Sequence, residues 1–417
     1  MLPAFASYLL SSGSLASAAL SQLVTFAILA RALGPAEFGL FVQASAVTAI
    51  AMQLCGLGAS DCLLRRVSRE PESYAGLLGH NLLLIALSGA ALVPVGVAGL
   101  LAWLRIGSGP SVGVATLALL LFGNVVLVRV ILLVETVFLG LGRFHAANRA
   151  VIGFALARMA TAALACLICG VETLSEWALW QCAGNLLYAL ASAAWLRPLG
   201  RPHFAILREE LAPGILFSSQ FVMRAVRANL DLLVIGLFAP LATVGSYGVA
   251  RRIVDSGYLA IEALNRLLYP RLARESREGL HHALPMARRA LVAALVLGAV
   301  TGLALFLLAP ALPALFGRQY QDLSFFVRCL SGTVLLVGAW AAAIELLGAS
   351  GRQDMRAWIL NGANLLGSAL IAAATWLAAP AGTFVALYLI DGAIVVIAWL
   401  ALLRLARHGA RQANGAG

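Results

Sequence analysis

Long apolar runs recur along the whole chain and are separated by short polar breaks. At 1.5 Å per helical residue, about twenty such residues cross a hydrocarbon core of roughly 30 Å. Helices are the default way to span that core, because no water is present there to satisfy exposed backbone groups. The mean hydropathy of +0.93 agrees with this interpretation. The sequence therefore predicts an all-α integral membrane protein.

The apolar runs between polar breaks predict twelve transmembrane helices. The even number places both termini on one side of the membrane. The first run lacks a basic n-region and a cleavage site, so we expect it to remain as a helix. The predicted spans are 7–30, 40–62, 76–103, 111–139, 150–170, 176–196, 213–239, 245–268, 290–316, 322–347, 357–379 and 382–403.

All of the positive charge comes from arginine, and the net charge is +11. The C-terminal tail and the loops after the even-numbered spans hold eighteen arginines, whereas the opposite loops hold only Arg31, Arg105 and Arg318. The positive-inside rule therefore predicts cytoplasmic N- and C-termini. Because the outer loops are too short to carry catalytic groups, we do not expect an enzyme. Nucleic acid is not an expected partner, since the arginines lie between apolar spans.

The two halves of the chain resemble each other. The turn "LARALGPAEFGLF" at 29–41 aligns with "IGLFAPLATVGSY" at 235–247, an offset of 206 residues that also places Arg65 on Arg271. The pattern predicts two pseudo-symmetric six-helix lobes in parallel orientation, with a substrate cavity between them. The predicted parts are an N-terminal lobe at 1–200, a cytoplasmic linker at 201–212 and a C-terminal lobe with a basic tail at 213–417.

Eight arginines lie inside the predicted spans. Each costs about 2.5 to 3.5 kcal/mol at the bilayer centre, so all eight in lipid would cost roughly 20 kcal/mol or more. Folding stability is only about 5 to 15 kcal/mol, so they cannot all face lipid. Two of them, Arg266 and Arg328, lie near span ends and can snorkel to the interface. The other six require a polar environment: Arg129, Arg158, Arg224, Arg227, Arg251 and Arg252.

Two helices carry these charges as stripes. At 100° per residue, the polar residues of span seven fall within about 60° of one another, and those of span eight also project to one side. Arg252 points about 100° away from the second stripe. The first stripe is Gln220, Arg224, Arg227 and Asp231, and the second is Arg251, Asp255, Glu262 and Arg266.

Two interpretations of the stripes remain open. In the first, pairs four residues apart lock the bundle: Arg227 with Asp231, Arg251 with Asp255 and Glu262 with Arg266. In the second, the surplus cations line a wet cavity and bind an anionic group, for which phosphate fits the planar donor fork of arginine best. The second is favoured for the arginines that have no acid four positions away, namely Arg129, Arg158, Arg224 and Arg252.

Cysteine and histidine spacing predicts no metal site and no cofactor. Cys166 and Cys169 have CxxC spacing, but no histidine or second cysteine pair accompanies them. An integral membrane enzyme of glycan assembly remains as an alternative of another class. Its candidate bases would be His80, His145, His203, His281, His282 and His408, which no ligand spacing links.

Several segments resemble a known family. They are "RALGPAEFGLFVQASAV", "GLGASDCLLRR", "NLDLLVIGLFAPLATVGSYGVARRI", "LYPRLAR" and "LGASGRQDMRAWILNGANLL". They resemble the polysaccharide transporters of the multidrug, oligosaccharidyl-lipid and polysaccharide exporter superfamily, which includes the O-antigen flippases. The resemblance implies twelve helices around a central cavity in a bacterial inner membrane. It also implies flipping of an undecaprenyl-pyrophosphate-linked glycan to the outer leaflet by alternating access, for O-antigen or exopolysaccharide export.

The resemblance also suggests site residues. Such transporters are thought to bind the pyrophosphate with cavity cations, one of which follows a "Y..A" pattern. Here "YGVARR" places Arg251 or Arg252 at that position. Span one carries no arginine, unlike the related lipid II flippases, so first-lobe cations would have to come from Arg129 and Arg158.

These observations predict a flippase for a lipid-linked saccharide. Arg224, Arg227, Arg251 and Arg252 would hold the phosphates, and Asp231 would orient or ion-couple the site. Asp255 and Glu262 would couple an ion or form structural pairs. The expected partners are the lipid-linked anionic saccharide, membrane lipids and polysaccharide assembly proteins. The competing hypothesis is a cation-coupled multidrug antiporter of the same superfamily, which would depend on the embedded acids.

Overall fold

The described part of the protein is predominantly helical. The computed structural model describes the backbone of residues 2–107, 112–276 and 280–415. Within these ranges it describes the side chains of 17, 20–107, 112–265, 268–269, 271–276 and 283–407. None of the described residues is in a β-strand.

Residue contacts divide the chain into two compact units, and the first is Met1–Gly245. In this unit α1 packs against α6 and α8, and α5 packs against α2, α6 and α7. Its helices are α1 Leu2–Leu54, α2 Ala59–Val67, α3 Tyr74–Ile106, α4 Val114–Leu121, α5 Val128–Gly140, α6 Phe144–Ala163, α7 Leu174–Ala194 and α8 Arg208–Phe238.

The second unit is Ser246–Gly417. The boundary lies inside α9, Leu241–Glu275. The division into lobes at 201–212 stays a prediction. Within the second unit α10 packs against α13, and α15 packs against α13 and α14. The remaining helices are α10 Leu280–Leu308, α11 Leu312–Phe316, α12 Leu323–Ser331, α13 Thr333–Ala349, α14 Gln353–Ala378 and α15 Ala381–Gly415.

The first two predicted spans form one helix, α1, with a kink in place of a loop. Gly34 adopts φ 72° and ψ 170°, which an L side chain rarely tolerates. Pro35 follows it, and proline has no N–H to continue the helical ladder. The kink therefore separates two helical arms within one continuous element.

A second break, at Cys55–Gly58, corrects the prediction of an uninterrupted span at 40–62. Gly56, Leu57 and Gly58 have φ angles of 78°, 48° and 71°, so three successive residues are left-handed and α1 ends at Leu54. The break lies against the start of α8, because a Cβ on Gly214 would be only 2.6 Å from the carbonyl oxygen of Leu57. Close packing between two backbones thus fixes where α1 ends.

A π-helical segment, Phe122–Leu127, joins α4 to α5. A wider turn of this kind frees backbone acceptors from the regular ladder. Asn185 of α7 donates to the carbonyl oxygen of Gly123 at 3.1 Å, and Gln181 donates to Asn124 Oδ1 at 3.1 Å. These bonds attach α7 to the π-helical segment by polar contacts inside an apolar unit.

The segment before α8 is bound to α3. His203 N donates to the carbonyl oxygen of Ala75 at 2.8 Å, and Leu207 N donates to His80 Nδ1 at 3.1 Å. A Cβ on Gly79 would overlap the carbonyl oxygen of His203. The predicted linker is therefore held along one face of α3.

Eight helical segments of the described residues are long and apolar enough to cross a membrane. The protein is a multi-pass membrane protein, whereas the number twelve stays a prediction. The predicted spans in α7, α8 and α9 are not among the eight. In α8 and α9 the embedded charges lower the local hydropathy below that of an ordinary span.

Candidate functional site

The predicted stripe on α8 runs from the protein surface into the interior. Gln220 and Arg224 are exposed, Arg227 is half-buried and Asp231 is 0% exposed. Asp231 Oδ1 accepts a hydrogen bond from the backbone N–H of Leu232 at 2.9 Å. The stripe thus has a cationic exposed end and an acidic buried end.

Arg224 is the most accessible cation of this stripe. Its guanidinium lies over the ring of Phe221, one turn earlier on the same helix, at 5.6 Å from the ring centroid. Stacking on an aromatic face orients the guanidinium plane and leaves its N–H donors at the edge. The binding of an oxyanion by Arg224 stays a prediction.

The predicted pair on α9 is formed. Arg251 Nη1 lies 3.2 Å from Asp255 Oδ1, with the two side chains 15% and 40% exposed. Arg252 is half-buried and has interactions of its own, and Glu262 is exposed. The predicted partner of Glu262, Arg266, has a side chain outside the described residues, so that pair stays a prediction.

Sequence patterns missed a polar cluster beside this pair. The hydroxyl of Tyr258 on α9 lies 2.8 Å from that of Thr333 on α13. Tyr258 also lies within electrostatic reach of Arg251, Asp255 and Asp391, the last of which is 6% exposed on α15. The cluster joins three helices of the second unit. Only the embedded acid Asp391 could have pointed to it from the sequence.

Arg129 points at the break between α1 and α2. A Cβ on Gly56 would lie 3.6 Å from its Nε atom, and Cys55 and Asp61 lie within electrostatic reach. The Nε atom is buried and has no hydrogen-bond partner among the described residues. An unsatisfied buried donor of this kind costs about 1 to 3 kcal/mol. Ligand binding by Arg129 stays a prediction.

Arg158 on α6 lies over the ring of Phe154 at 5.6 Å from the centroid. It is half-buried and makes further interactions. Arg129, Arg158 and Arg224 thus lie on three helices of the first unit, and each contacts a different neighbour. Their convergence on one ligand stays a prediction.

A cluster of charged side chains connects α2 to α8. Arg66 Nη1 lies 2.6 Å from Glu209 Oε1 and 2.9 Å from Glu210 Oε1, and Arg65 Nη2 lies 3.4 Å from Glu210 Oε2. The side chain of Glu210 is 6% exposed. The hydrogen bonds to Glu209 and Glu210 hold the pKa of the Arg66 guanidinium above its usual range. This cluster anchors the start of α8 to α2.

No group of three or more His, Cys, Asp or Glu side chains in the described ranges is arranged to hold a metal ion. Cys166 and Cys169 are free thiols. Other predicted residues have side chains outside the described part, namely Arg277, Arg411, His281, His282 and His408.

Solved structures with the same architecture define the class of the fold. One is titled an inward-facing conformation of a multidrug resistance MATE family transporter of the MOP superfamily, with TM-score 0.77, 16% identity, and 94% of this chain and 96% of that chain covered. Another is the lipid II flippase MurJ in an inward closed conformation, with TM-score 0.74, 14% identity, and 96% and 91% covered. The chain therefore shares the fold of these two membrane proteins.

The family follows from a match over residues 6–276 to the model described as polysaccharide biosynthesis protein. Because the match covers more than half of the chain, the protein belongs to this family. The predicted resemblance is thereby confirmed. No curated protein matches the chain significantly.

Proposed function

We propose that the protein is a flippase that moves an undecaprenyl-pyrophosphate-linked oligosaccharide across the bacterial inner membrane for surface polysaccharide export. Family membership and the fold shared with a lipid II flippase support this class of substrate. Translocation by alternating access, with cytoplasmic termini, is part of the proposal. Polysaccharide assembly proteins are the proposed partners.

The observation that carries the proposal is the exposed Arg224 on α8. Its guanidinium stacks on Phe221 and contacts no described carboxylate within 4 Å. A stacked, unpaired guanidinium within an apolar span is costly unless it faces water or an anion. We propose that a phosphate of the substrate is that anion, and that Gln220 and Arg227 on the same stripe support its binding.

The other proposed binding residues are arginines that would contact the substrate phosphates in the same way. Arg252 on α9 and Arg129 on α5 would add charge-assisted hydrogen bonds to phosphate oxygens. Arg251 is already paired with Asp255, so its proposed contribution is shared with that acid. Arg158 completes the proposed set.

Complementation of a strain that lacks the gene tests the proposal. Arg224→Ala, Arg129→Ala and Arg252→Ala should each lower surface glycan roughly tenfold or more at equal protein level, because a hydrogen bond to a charged group contributes about 1.5 to 3 kcal/mol. Arg328→Ala is the matched control, since Arg328 is also exposed and stacks on an aromatic ring, Phe306, at 5.2 Å. Unchanged glycan in all three variants would end the proposal.

A cation-coupled multidrug antiporter is the second candidate. The similarity to a MATE family transporter and the buried acids Asp231 and Asp391 favour it. In that case resistance to cationic drugs would depend on Asp231 or Asp255. The Arg224→Ala substitution would leave drug resistance unchanged.

A further inference from the structure

The first unit contains a cavity of about 490 Å³ between α3, α5 and the end of α7. Its walls are aliphatic and continuous with the core of the unit. Leu78, Leu133 and Val134 form its floor and are almost completely buried. Leu82 and Val130 line its sides.

One end of the cavity is cationic. Arg197 and Arg201, from the segment after α7, line it and are exposed. Between them Gly200 adopts φ 112°, a conformation that favours glycine, and it lines the same cavity as both arginines. Neither arginine has a carboxylate within 4 Å among the described residues.

We propose that this cavity binds one acyl chain of an anionic phospholipid, with the lipid phosphate held by Arg197 and Arg201. The planar donor fork of arginine suits phosphate oxygens. The exposed Trp195 lies two residues before the pair, and tryptophan is typical of the level of lipid headgroups. The arginines belong to the predicted cytoplasmic side, where anionic lipids concentrate.

The volume favours an acyl chain as the occupant. A methylene group occupies about as much space as a water molecule in the liquid, roughly 30 Å³, so the cavity holds on the order of sixteen such groups. An undecaprenyl chain is several times longer and does not fit. The inference is therefore independent of the proposed substrate.

Native mass spectrometry of the full-length protein in detergent tests this inference. Phosphatidylglycerol and phosphatidylcholine with the same acyl chains are offered in turn. The wild type should retain phosphatidylglycerol roughly tenfold more strongly, because each arginine near a membrane surface attracts an anionic lipid by about 1 kcal/mol. The double variant Arg197→Gln, Arg201→Gln should lose this preference.

Three controls make the outcome decisive. Arg143→Gln, Arg149→Gln removes the same charge from exposed positions away from the cavity and should keep the preference. Ala193→Trp fills the mouth of the cavity and should lower retention of both lipids. Millimolar inorganic phosphate should not displace the lipid. The inference would be overturned if the variant without Arg197 and Arg201 still preferred phosphatidylglycerol, or if the control variant of Arg143 and Arg149 lost that preference equally. It would also be overturned if Ala193→Trp retained the lipids as the wild type does, or if free phosphate displaced them.

Discussion

Gly39 in α1 and Gly245 in α9 make reciprocal contacts with each other's helices. A Cβ on Gly39 would overlap the carbonyl oxygen of Leu241, and a Cβ on Gly245 would overlap that of Pro35. Both pairs, 35 with 241 and 39 with 245, are related by the repeat offset found in the sequence. Reciprocal contact is the pattern expected of two equivalent segments around a twofold axis.

Substituting either glycine by alanine should destabilise the protein. The added methyl group would force apart two backbones, at a cost of about 1 to 3 kcal/mol. The double variant should lose less than the sum of the two single losses, because both changes open the same interface. Thermal unfolding in detergent measures this, with Gly99→Ala as control, since a Cβ there meets nothing within 4 Å. A Gly39→Ala variant that unfolds at the same temperature as the wild type would contradict the expectation.

Gly79→Ala should release the segment before α8. The new methyl group would overlap the carbonyl oxygen of His203, so the hydrogen bonds from 203 and 207 to α3 should weaken. We expect faster amide hydrogen exchange in residues 201–207. Gly76→Ala, one turn earlier with nothing within 4 Å of its Cβ, should leave exchange unchanged. Equal exchange in the two variants would show that Gly79 does not fix this segment.

Arg66→Gln should destabilise the protein by about 1 to 2 kcal/mol. It leaves the buried carboxylate of Glu210 with Arg65 alone, at 3.4 Å.

Because the pKa of Arg66 is raised, its charge is present at every pH below the ordinary arginine range, and its contribution would be lost only as the pH rises beyond that range. The effect of the substitution should therefore be the same at pH 7 and pH 9. Arg69→Gln, an exposed neighbour, is the control in thermal unfolding, and a similar loss in both variants would refute the role of the cluster.

A double-mutant cycle of Arg251→Met and Asp255→Asn should give a coupling energy of about 0.3 to 1 kcal/mol. The value is small because Asp255 is 40% exposed. A parallel cycle with Glu262→Gln, on the same helix but exposed, should give a coupling near zero. Equal couplings in the two cycles would mean that the α9 pair is not specific.

Local features of this protein could be predicted from its sequence. The apolar runs predicted the helices, because length and composition decide whether a segment can span a membrane. The Arg251–Asp255 pair was predicted from a spacing of four and is formed. The repeat aligned 29–41 with 235–247, the segments that hold Gly39 and Gly245, and the two-lobe arrangement stays a prediction. Each of these depends on residues close in sequence or on direct similarity between segments.

Long-range features could not be predicted in this way. Arg66 and Glu210 are 144 positions apart, and Tyr258 and Thr333 are 75 apart, so no local spacing reveals either contact. The break at Cys55–Gly58 depends on the approach of Gly214 from α8. Substrate binding stays a prediction for Arg129, Arg158, Arg224, Arg227 and Arg252. It depends on contacts with a substrate molecule, which is not part of the chain.

The charges of α8 also affect how the protein is made. Arg224, Arg227 and Asp231 each oppose release from the translocon into lipid by about 2.5 to 3.5 kcal/mol, which offsets most of the gain of roughly 0.3 to 0.6 kcal/mol from each apolar residue. Alone, this helix is a poor candidate for membrane integration. Synthesis delivers α1 first, and α8 packs against it. The helix against which α8 packs is therefore synthesised before the segment that carries the cations.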